Sequence, residues 1–422
     1  MIWVMIGLFL VLMLIGIPMA FSTAIAVIVY IVSVGLPPEL VPQRIFTTSD
    51  NFALMAIPLF MIAGELMNAA GITRRIVRFS TAMVGHIRGS LAHSSIIATM
   101  IFSGMSGSSV AACASVGSMM IPAMKEEGYD PEFGVAVTCS AACFSPIIPP
   151  SITFILFGSV TGTSIGALFL GGIIPGIVMA ASLMVIAYVV SRMRGYPVKP
   201  KSSWPERLKA FISSFSALLM PVLIIAGILS GIFTATEAGA VGIAYGLIVG
   251  LITKELKPKM ILKVLTNGAM TTAAIMIIIA SSQILGWVLT RAQIPQMLTA
   301  GLLGVTTSPT LVLFIILGIL LFVGFFMVDA ALIPIMAPLF MPVVRQFGID
   351  PVHFGVVMSM MTVTGGITPP VGNLLFVACG IAKAPVGKAF VATAPFVLAL
   401  LIAIIICALV PPLVTFIPGL LM

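Results

Sequence analysis

Charge is scarce in this chain. Only 8% of its 422 residues are Asp, Glu, Lys or Arg, against roughly 25% in an average soluble domain. Its 20 basic and 12 acidic side chains are too few to solvate a globule of 44.1 kDa. That excludes an ordinary soluble enzyme and a disordered chain. The net charge of +8 is no nucleic-acid footprint, because Lys and Arg accumulate in the cytoplasmic loops of membrane proteins. Cysteine is rare as well. Cys113, Cys139, Cys143, Cys379 and Cys407 lie in apolar stretches. Cys139 and Cys143 share a helix face at i,i+4, but no His or second Cys pair completes a metal site, so they read as small core residues. Met1-Ile2-Trp3 lacks a basic n-region and a small-residue cleavage site, so the first apolar run is expected to be a membrane segment rather than a removable signal.

What is present in quantity is apolar: 60% hydrophobic residues, a mean hydropathy of +1.25, and 29 prolines. A membrane helix needs about 20 apolar residues. Runs of that order cover 2–35, 52–70, 91–122, 133–162, 165–191, 211–235, 238–253, 268–290, 309–343, 353–380 and 389–418. Several are too long for one span and carry Gly or Pro near the middle. The segment 192–210, with Arg192, Arg194, Lys199, Lys201, Arg207 and Lys209 among three prolines, reads as a basic cytoplasmic linker between two halves, 1–191 and 211–422.

An offset of 220 residues brings the halves into register. Gly104 meets Gly324, Pro122 meets Pro342, Gly128 meets Gly348, Asp130-Pro131 meets Asp350-Pro351, Pro149-Pro150 meets Pro369-Pro370, and Pro175 meets Pro395. These residues set backbone shape, so one structural unit is used twice. Loop charges orient it. Residues 72–89 hold Arg74, Arg75, Arg78 and Arg88, whereas 292–309 hold none; Lys254, Lys257, Lys259 and Lys263 face a stretch whose one basic residue is Arg44. Each basic loop pairs with a nearly cation-free one, so the repeats have opposite topology by the positive-inside rule. That is an architecture of secondary transporters. The expected fold is an all-α polytopic membrane protein of two inverted repeats, each with five crossings plus a re-entrant hairpin, both termini outside. All of the 20 basic residues except Arg44, Arg291 and Arg345 then face the cytoplasm. Either 91–122 is the hairpin and 133–162 a broken crossing, or the reverse.

Polar residues at membrane depth mark candidate sites. Ser103-Gly104-Met105-Ser106-Gly107-Ser108-Ser109 interrupts an apolar run. An unwound backbone there would be tolerated where it lines a cavity or holds an ion; small-residue helix packing is the plain alternative. Ser145-Pro146-Ile147-Ile148-Pro149-Pro150-Ser151 and Gly365-Gly366-Ile367-Thr368-Pro369-Pro370 are matched second breaks, since consecutive prolines remove donors and end a helix. Freed carbonyls suit a hard cation such as Na⁺, and half-helix N-termini suit a carboxylate. Asp329, in Gly324-Phe325-Phe326-Met327-Val328-Asp329, is an intramembrane charge and by default functional or paired. Glu65 reads equally as a snorkelling residue or a site. Glu237 reads as part of a helix cap with Thr234 or Thr236. Gly104-Met105-Ser106-Gly107 also has the Gly-x-Ser-Gly form of rhomboid-type intramembrane proteases, with His93 or His353 as the conceivable base. The matching position of Ser106 is Phe326, which makes a dyad a one-sided feature in a two-sided protein, and the chain is expected not to be an enzyme.

These residues together resemble the large membrane subunit of TRAP (tripartite ATP-independent periplasmic) transporters over nearly the whole chain. The resemblance rests on Ile57-Pro58-Leu59-Phe60 with Ala63-Gly64-Glu65-Leu66-Met67, Ser106-Gly107-Ser108-Ser109, Ile121-Pro122-Ala123-Met124, and Ile148-Pro149-Pro150-Ser151. It continues through Gly172-Ile173-Ile174-Pro175-Gly176, Gly231-Ile232-Phe233-Thr234 with Thr236-Glu237-Ala238, and Gly365-Gly366-Ile367-Thr368-Pro369-Pro370. It implies a Na⁺-coupled elevator importer in a bacterial or archaeal inner membrane. A small four-helix membrane subunit and a periplasmic binding protein delivering an organic acid, such as a C4-dicarboxylate or sialic acid, are the implied partners. It also makes 91–122 and 309–343 the hairpins, and 133–162 and 353–380 the broken helices. Two or more Na⁺ per cycle are implied, one near Ser103, Gly104, Ser145 and Ile148, another near Gly324, Met327, Asp329, Gly365, Gly366 and Thr368. Ser106, Ser108, Ser109 and Asn373 are the implied substrate contacts, and Pro149, Pro150, Pro369 and Pro370 the helix breaks.

Overall fold

Hydrocarbon offers no water to backbone N–H and C=O groups, so a spanning chain must satisfy them within helices. The computed structural model describes residues 1–198 and 200–422, with the side chains of all but Leu14 and Ser49; Lys199 of the linker lies outside the described residues. No strand forms among them. The chain opens with α1 (Ile2–Leu14), α2 (Met19–Ser33), α3 (Leu40–Ser49), a 3-10 turn (Phe52–Met55), α4 (Ala56–Ala69) and α5 (Ile72–Val84). A helical hairpin follows, α6 (Ser90–Ser106) and α7 (Ser109–Glu126), then a broken pair, α8 (Pro131–Ala142) and α9 (Ile152–Thr161), and the long α10 (Ile165–Met193). The second half runs through α11 (Trp204–Leu229), α12 (Ala235–Ile252), α13 (Pro258–Arg291) and α14 (Ile294–Val305). It ends with the hairpin α15 (Pro309–Gly324) and α16 (Asp329–Gln346), the broken pair α17 (Pro351–Gly365) and α18 (Asn373–Ala382), then α19 (Val386–Leu409) and α20 (Pro412–Leu421). Six helical segments among the described residues are long and apolar enough to cross a membrane: Phe52–Ala69, α10, α11, α12, α13 and α19.

Elements recur at the 220-residue offset. α16 begins and ends 220 residues after α7, and α17 begins 220 after α8. Both Pro149-Pro150 and Pro369-Pro370 bonds are cis. One difference is instructive. The stretch matching α3, the 3-10 turn and α4 is the uninterrupted 34-residue α13. In the first half the Asn51 side chain accepts from Ala53 N at 3.0 Å and starts a new turn, competing with the helix. Its counterpart Thr271 bonds back to Asn267 O at 2.9 Å and stays in line. The basic linker is shorter than expected: α11 already begins at Trp204, because Glu206 Oε2 accepts from Ser203 N at 2.8 Å and Pro205 occupies the first turn, where its missing N–H costs nothing.

Two groups of helices result. In one, α12 lies against α4 along Gly239, Gly242, Gly246 and Gly250, where an added Cβ would stand 2.7–3.4 Å from Leu59, Ala63, Leu66 and Ala70; small residues let membrane helices approach closely. α13 packs on α2 and α4 in the same group. The other group gathers both hairpins and both broken pairs. There α7 packs on α18 and α16 packs on α9, so each hairpin's second arm rests on the far segment of the other half's broken helix.

Candidate functional site

The first hairpin tip is tighter than its Ser- and Gly-rich sequence suggested. α6 stays helical through Ser106, and only Gly107 and Ser108 leave the helix. Gly107, at φ +60°, takes the left-handed turn with its N–H on Ser103 O at 3.2 Å, a conformation that favours glycine. Ser108 then caps α7 by accepting from Ala111 N at 3.3 Å. The matching break is longer, from Cys143 to Ser151, where Ser151 caps α9 (Phe154 N, 3.0 Å) and its hydroxyl donates to Pro146 O at 2.5 Å. Tip and break meet. Ser103 Oγ and Ser145 Oγ are 2.7 Å apart, both fully buried. A Cβ on Gly104 would lie 3.5 Å from Pro149 O, and one on Gly107 would lie 2.8 Å from Pro150 O. Ile148 sits beside Pro149 in an apolar groove between α6, α10 and α11.

The second pair repeats the arrangement with a more open surface. α15 ends at Gly324 and α16 starts at Asp329. A Cβ on Gly365 would fall 2.7–2.9 Å from the Gly324 backbone, so these two glycines bring tip and break into direct backbone contact. Val371 N donates to Phe325 O at 3.1 Å. Thr368 N reaches Gly365 O at 3.0 Å, Leu374 N reaches Gly366 O at 3.2 Å, and Asn373 Oδ1 folds over Gly366. Met327 is buried, whereas Asp329, Gly366, Thr368 and Pro369 are half-buried and Pro370 is exposed. Asp329 makes no ion pair among the described residues; its carboxylate accepts from Ala330 N at 3.0 Å at the start of α16, where the helix dipole favours negative charge. Cys143 Sγ contacts Val363 O and Cys113 Sγ contacts Leu374 O, both at 3.7 Å, so the two tip-and-break clusters are packed into one body.

Both clusters present oxygen: Ser103, Ser145 and Thr368 hydroxyls, the Asp329 carboxylate, and carbonyls of broken helices. That donor set fits a hard cation. No group of three or more His, Cys, Asp or Glu gathers among the described residues. The expected substrate contacts divide. Ser106 and Ser108 line a cleft of 210 Å³ between the first tip and α4 and α13, whereas Ser109 lies outside that lining and Asn373 belongs to the second break. The cleft also holds Glu65, Asn68, Ser115 and Thr271. Glu65, read from the sequence equally as a snorkelling residue or a site, lines this cleft. Asn68 and Thr271, which line the same cleft, were not among the sequence candidates; Glu65 and Asn68 share one face of α4 at i,i+3. A second cleft, of 340 Å³, opens where α3 and α13 meet α9. Arg44 lies 4.9 Å and Arg291 5.8 Å from the Trp287 ring there. The protease geometry fails. His93 is 13 residues before Ser106 on one helix, about 20 Å away, and His353 Nε2 is 3.0 Å from Cys407 O. Glu237 belongs to a capping box with Thr234, as the sequence suggested.

Hairpin tips meeting broken helices inside a polytopic helical bundle define a membrane transport protein. Residues 6–413 match the family described as "Tripartite ATP-independent periplasmic transporter, DctM component", and the chain belongs to that family. It is 37% identical over 409 residues to the sialic acid TRAP transporter large permease protein SiaM of Vibrio cholerae, covering 96% of this chain and 95% of that one. It is 38% identical over 369 residues to the C4-dicarboxylate TRAP transporter large permease protein DctM of Pseudomonas aeruginosa, covering 87% and 86%. Its fold is similar to that of the Alcanivorax borkumensis YdaH transporter, with a TM-score of 0.61 and 12% identity over 86% of each chain. The chain is thus a multi-pass protein of the bacterial inner membrane.

Proposed function

We propose that this chain is the large membrane subunit of a Na⁺-coupled importer that receives an organic acid from a periplasmic binding protein. A small four-helix membrane subunit completes the transporter. The observation that carries the reading is the pair of oxygen-rich clusters, Ser103–Ser145 and Asp329 with Gly324–Gly365, at matched hairpin tips and breaks. Each cluster would hold one Na⁺ through hydroxyl, carboxylate and carbonyl oxygens. Ser106 and Ser108 face the cleft where substrate would lie, and Arg44, which lines the separate cleft between α3, α13 and α9, would supply positive charge for an anion on its way in. Relatives that carry sialic acid and C4-dicarboxylates support the acid class. In an elevator cycle the hairpins and broken helices move together against the group containing α4, α12 and α13, with the two halves inverted in the membrane.

Uptake into proteoliposomes holding this chain and its small partner, with the binding protein and candidate acids outside, tests the reading. Transport should require an inward Na⁺ gradient. Asp329→Asn and Ser145→Ala should each raise the Na⁺ concentration for half-maximal uptake about tenfold, the effect of losing one interaction worth roughly 1.4 kcal/mol. Unchanged Na⁺ dependence in both variants sinks the site assignment.

A further inference from the structure

The cleft at the first hairpin tip holds one formal charge, and it has the sign of an organic acid. Ser106, Ser108 and Ser115 line it from the hairpin, and the half-buried Glu65, with Asn68 and Thr271, from the helices opposite. No Lys, Arg or His is in this lining among the described residues. Nor does Glu65 make an ion pair among them. On these facing helices charge is otherwise kept to the ends. α4 carries no second charged residue, α12 has none between Glu237 and Lys254, and α13 none between Lys263 and Arg291. An unpaired carboxylate within a membrane-spanning helix is costly, so a role in function is the default.

The tip rests on α4 beside this carboxylate. A Cβ on Gly64 would stand 2.8 Å from Ser106 Cβ and 2.9 Å from Ser106 Cα, so only glycine before Glu65 allows the approach. What the tip offers suits an anion: the Ser106 and Ser108 hydroxyls and the N-terminus of the 18-residue α7. An acid held there shares the cleft with Glu65, and like charges in a partly desolvated space repel. The arrangement is also one-ended. Glu65 lies about 6 Å from the end of α4 that leads into the basic loop 72–89. Arg44 and Arg291 flank Trp287 at the opposite end of α13. The side of the bundle built from α3, α4 and α13 is thus positive toward the periplasm and negative toward the cytoplasm.

We propose that Glu65 expels the organic acid into the cytoplasm. With the tip against α4, its carboxylate opposes the acid on Ser106 and Ser108 and takes over their hydroxyls as the acid departs. This rests on the substrate cleft and the orientation proposed above. A tip displaced toward the Arg44 end carries the acid away from Glu65, so the repulsion lowers affinity on the cytoplasmic face alone. Glu65 is in this sense a release residue, and its removal trades faster release for tighter cytoplasmic binding.

Exchange of radiolabelled sialic acid and succinate across proteoliposomes holding this chain and its small partner tests this, one face at a time. Glu65→Gln should lower the cytoplasmic half-saturation about tenfold, the effect of removing one close like charge. Periplasmic half-saturation, measured with the binding protein, should stay unchanged, and maximal net uptake should slow because release becomes limiting. Glu65→Asp should restore both values toward wild type. An unchanged or raised cytoplasmic half-saturation in Glu65→Gln overturns the proposal. So does a raised Na⁺ half-saturation with acid affinity unmoved, which would make Glu65 a cation ligand. Ser106→Ala combined with Ser108→Ala separates the two possible failures. If this pair leaves acid affinity unchanged, the acid does not lie in the cleft and the reading above falls with the proposal. If the pair weakens affinity while Glu65→Gln does not tighten it, only expulsion by Glu65 falls. Should Glu65→Gln not assemble, or wild type exchange neither acid, thiol labelling decides with Glu65 in place and the five buried native cysteines kept. Ser115→Cys in the cleft should favour cationic methanethiosulfonate ethyltrimethylammonium over anionic methanethiosulfonate ethylsulfonate about tenfold more than the exposed Ser118→Cys does. An equal preference at both positions overturns the proposal.

Discussion

Single residues set what this protein tolerates. Gly365 and Gly324 touch through their backbones, so Gly365→Ala forces a Cβ to within 2.9 Å of the facing chain. Overpacking of this kind costs about 1–3 kcal/mol, and here it parts the tip from the break. Uptake by Gly365→Ala should fall below about a tenth of wild type, since 1.4 kcal/mol is tenfold, and the variant should melt lower. Gly380→Ala, with nothing within 4 Å of the new methyl, should keep uptake and gain slightly in stability. Away from the membrane-spanning segments, Asp130 accepts from Tyr196 Oη at 2.6 Å and from Arg194. The Tyr196 hydroxyl first, then the guanidinium, hold its carboxyl below the usual carboxylate range. A lowered folded pKa adds stability above the unfolded value of about 3.9 and loses it as pH falls through the folded value. Melting of Asp130→Asn should therefore lie below wild type near neutral pH, the gap closing below about pH 4.

At the scale of elements, helix ends decide where the chain turns. Thr234 and Glu237 cap α12 reciprocally: Glu237 Oε2 accepts from Thr234 N at 2.8 Å, and Thr234 Oγ1 accepts from Glu237 N at 3.3 Å. Thr234→Ala should cost about 1 kcal/mol of stability and leave Na⁺ half-saturation unchanged; a change in Na⁺ dependence would tie this turn to the ion sites. This cap was legible in the sequence because Thr-x-x-Glu needs only local geometry. The Pro149-Pro150 and Pro369-Pro370 breaks were legible for the same reason. The extent of the Ser103–Ser109 tip was not. Hydroxyls can bond to the preceding turn as well as to a cavity, and Ser103 takes Thr99 O while α6 continues.

Across the whole molecule the Na⁺ coupling proposed above would have a definite size. One net charge moving through 100 mV yields about 2.3 kcal/mol, which sustains roughly a 40- to 50-fold gradient. An anionic substrate spends part of that charge, so more than one Na⁺ per cycle is expected. Two clusters brought into one body by contacts such as Cys143 to Val363 O would, on the proposed reading, provide for two. Uptake should rise sigmoidally with Na⁺ concentration. A hyperbolic dependence in wild type would point to a single coupling ion.

The membrane environment, the helical class, the repeat and the breaks were determined by the sequence alone. Composition sets solubility, and Gly and Pro constrain the backbone wherever they stand. The tertiary structure alone decided which polar groups meet. Ser103 and Ser145 are 42 residues apart, and Glu65 and Ser108 share a cleft across two groups of helices. A helix's periodicity fixes the face a residue occupies, but the neighbour of that face depends on packing between helices far apart in the chain.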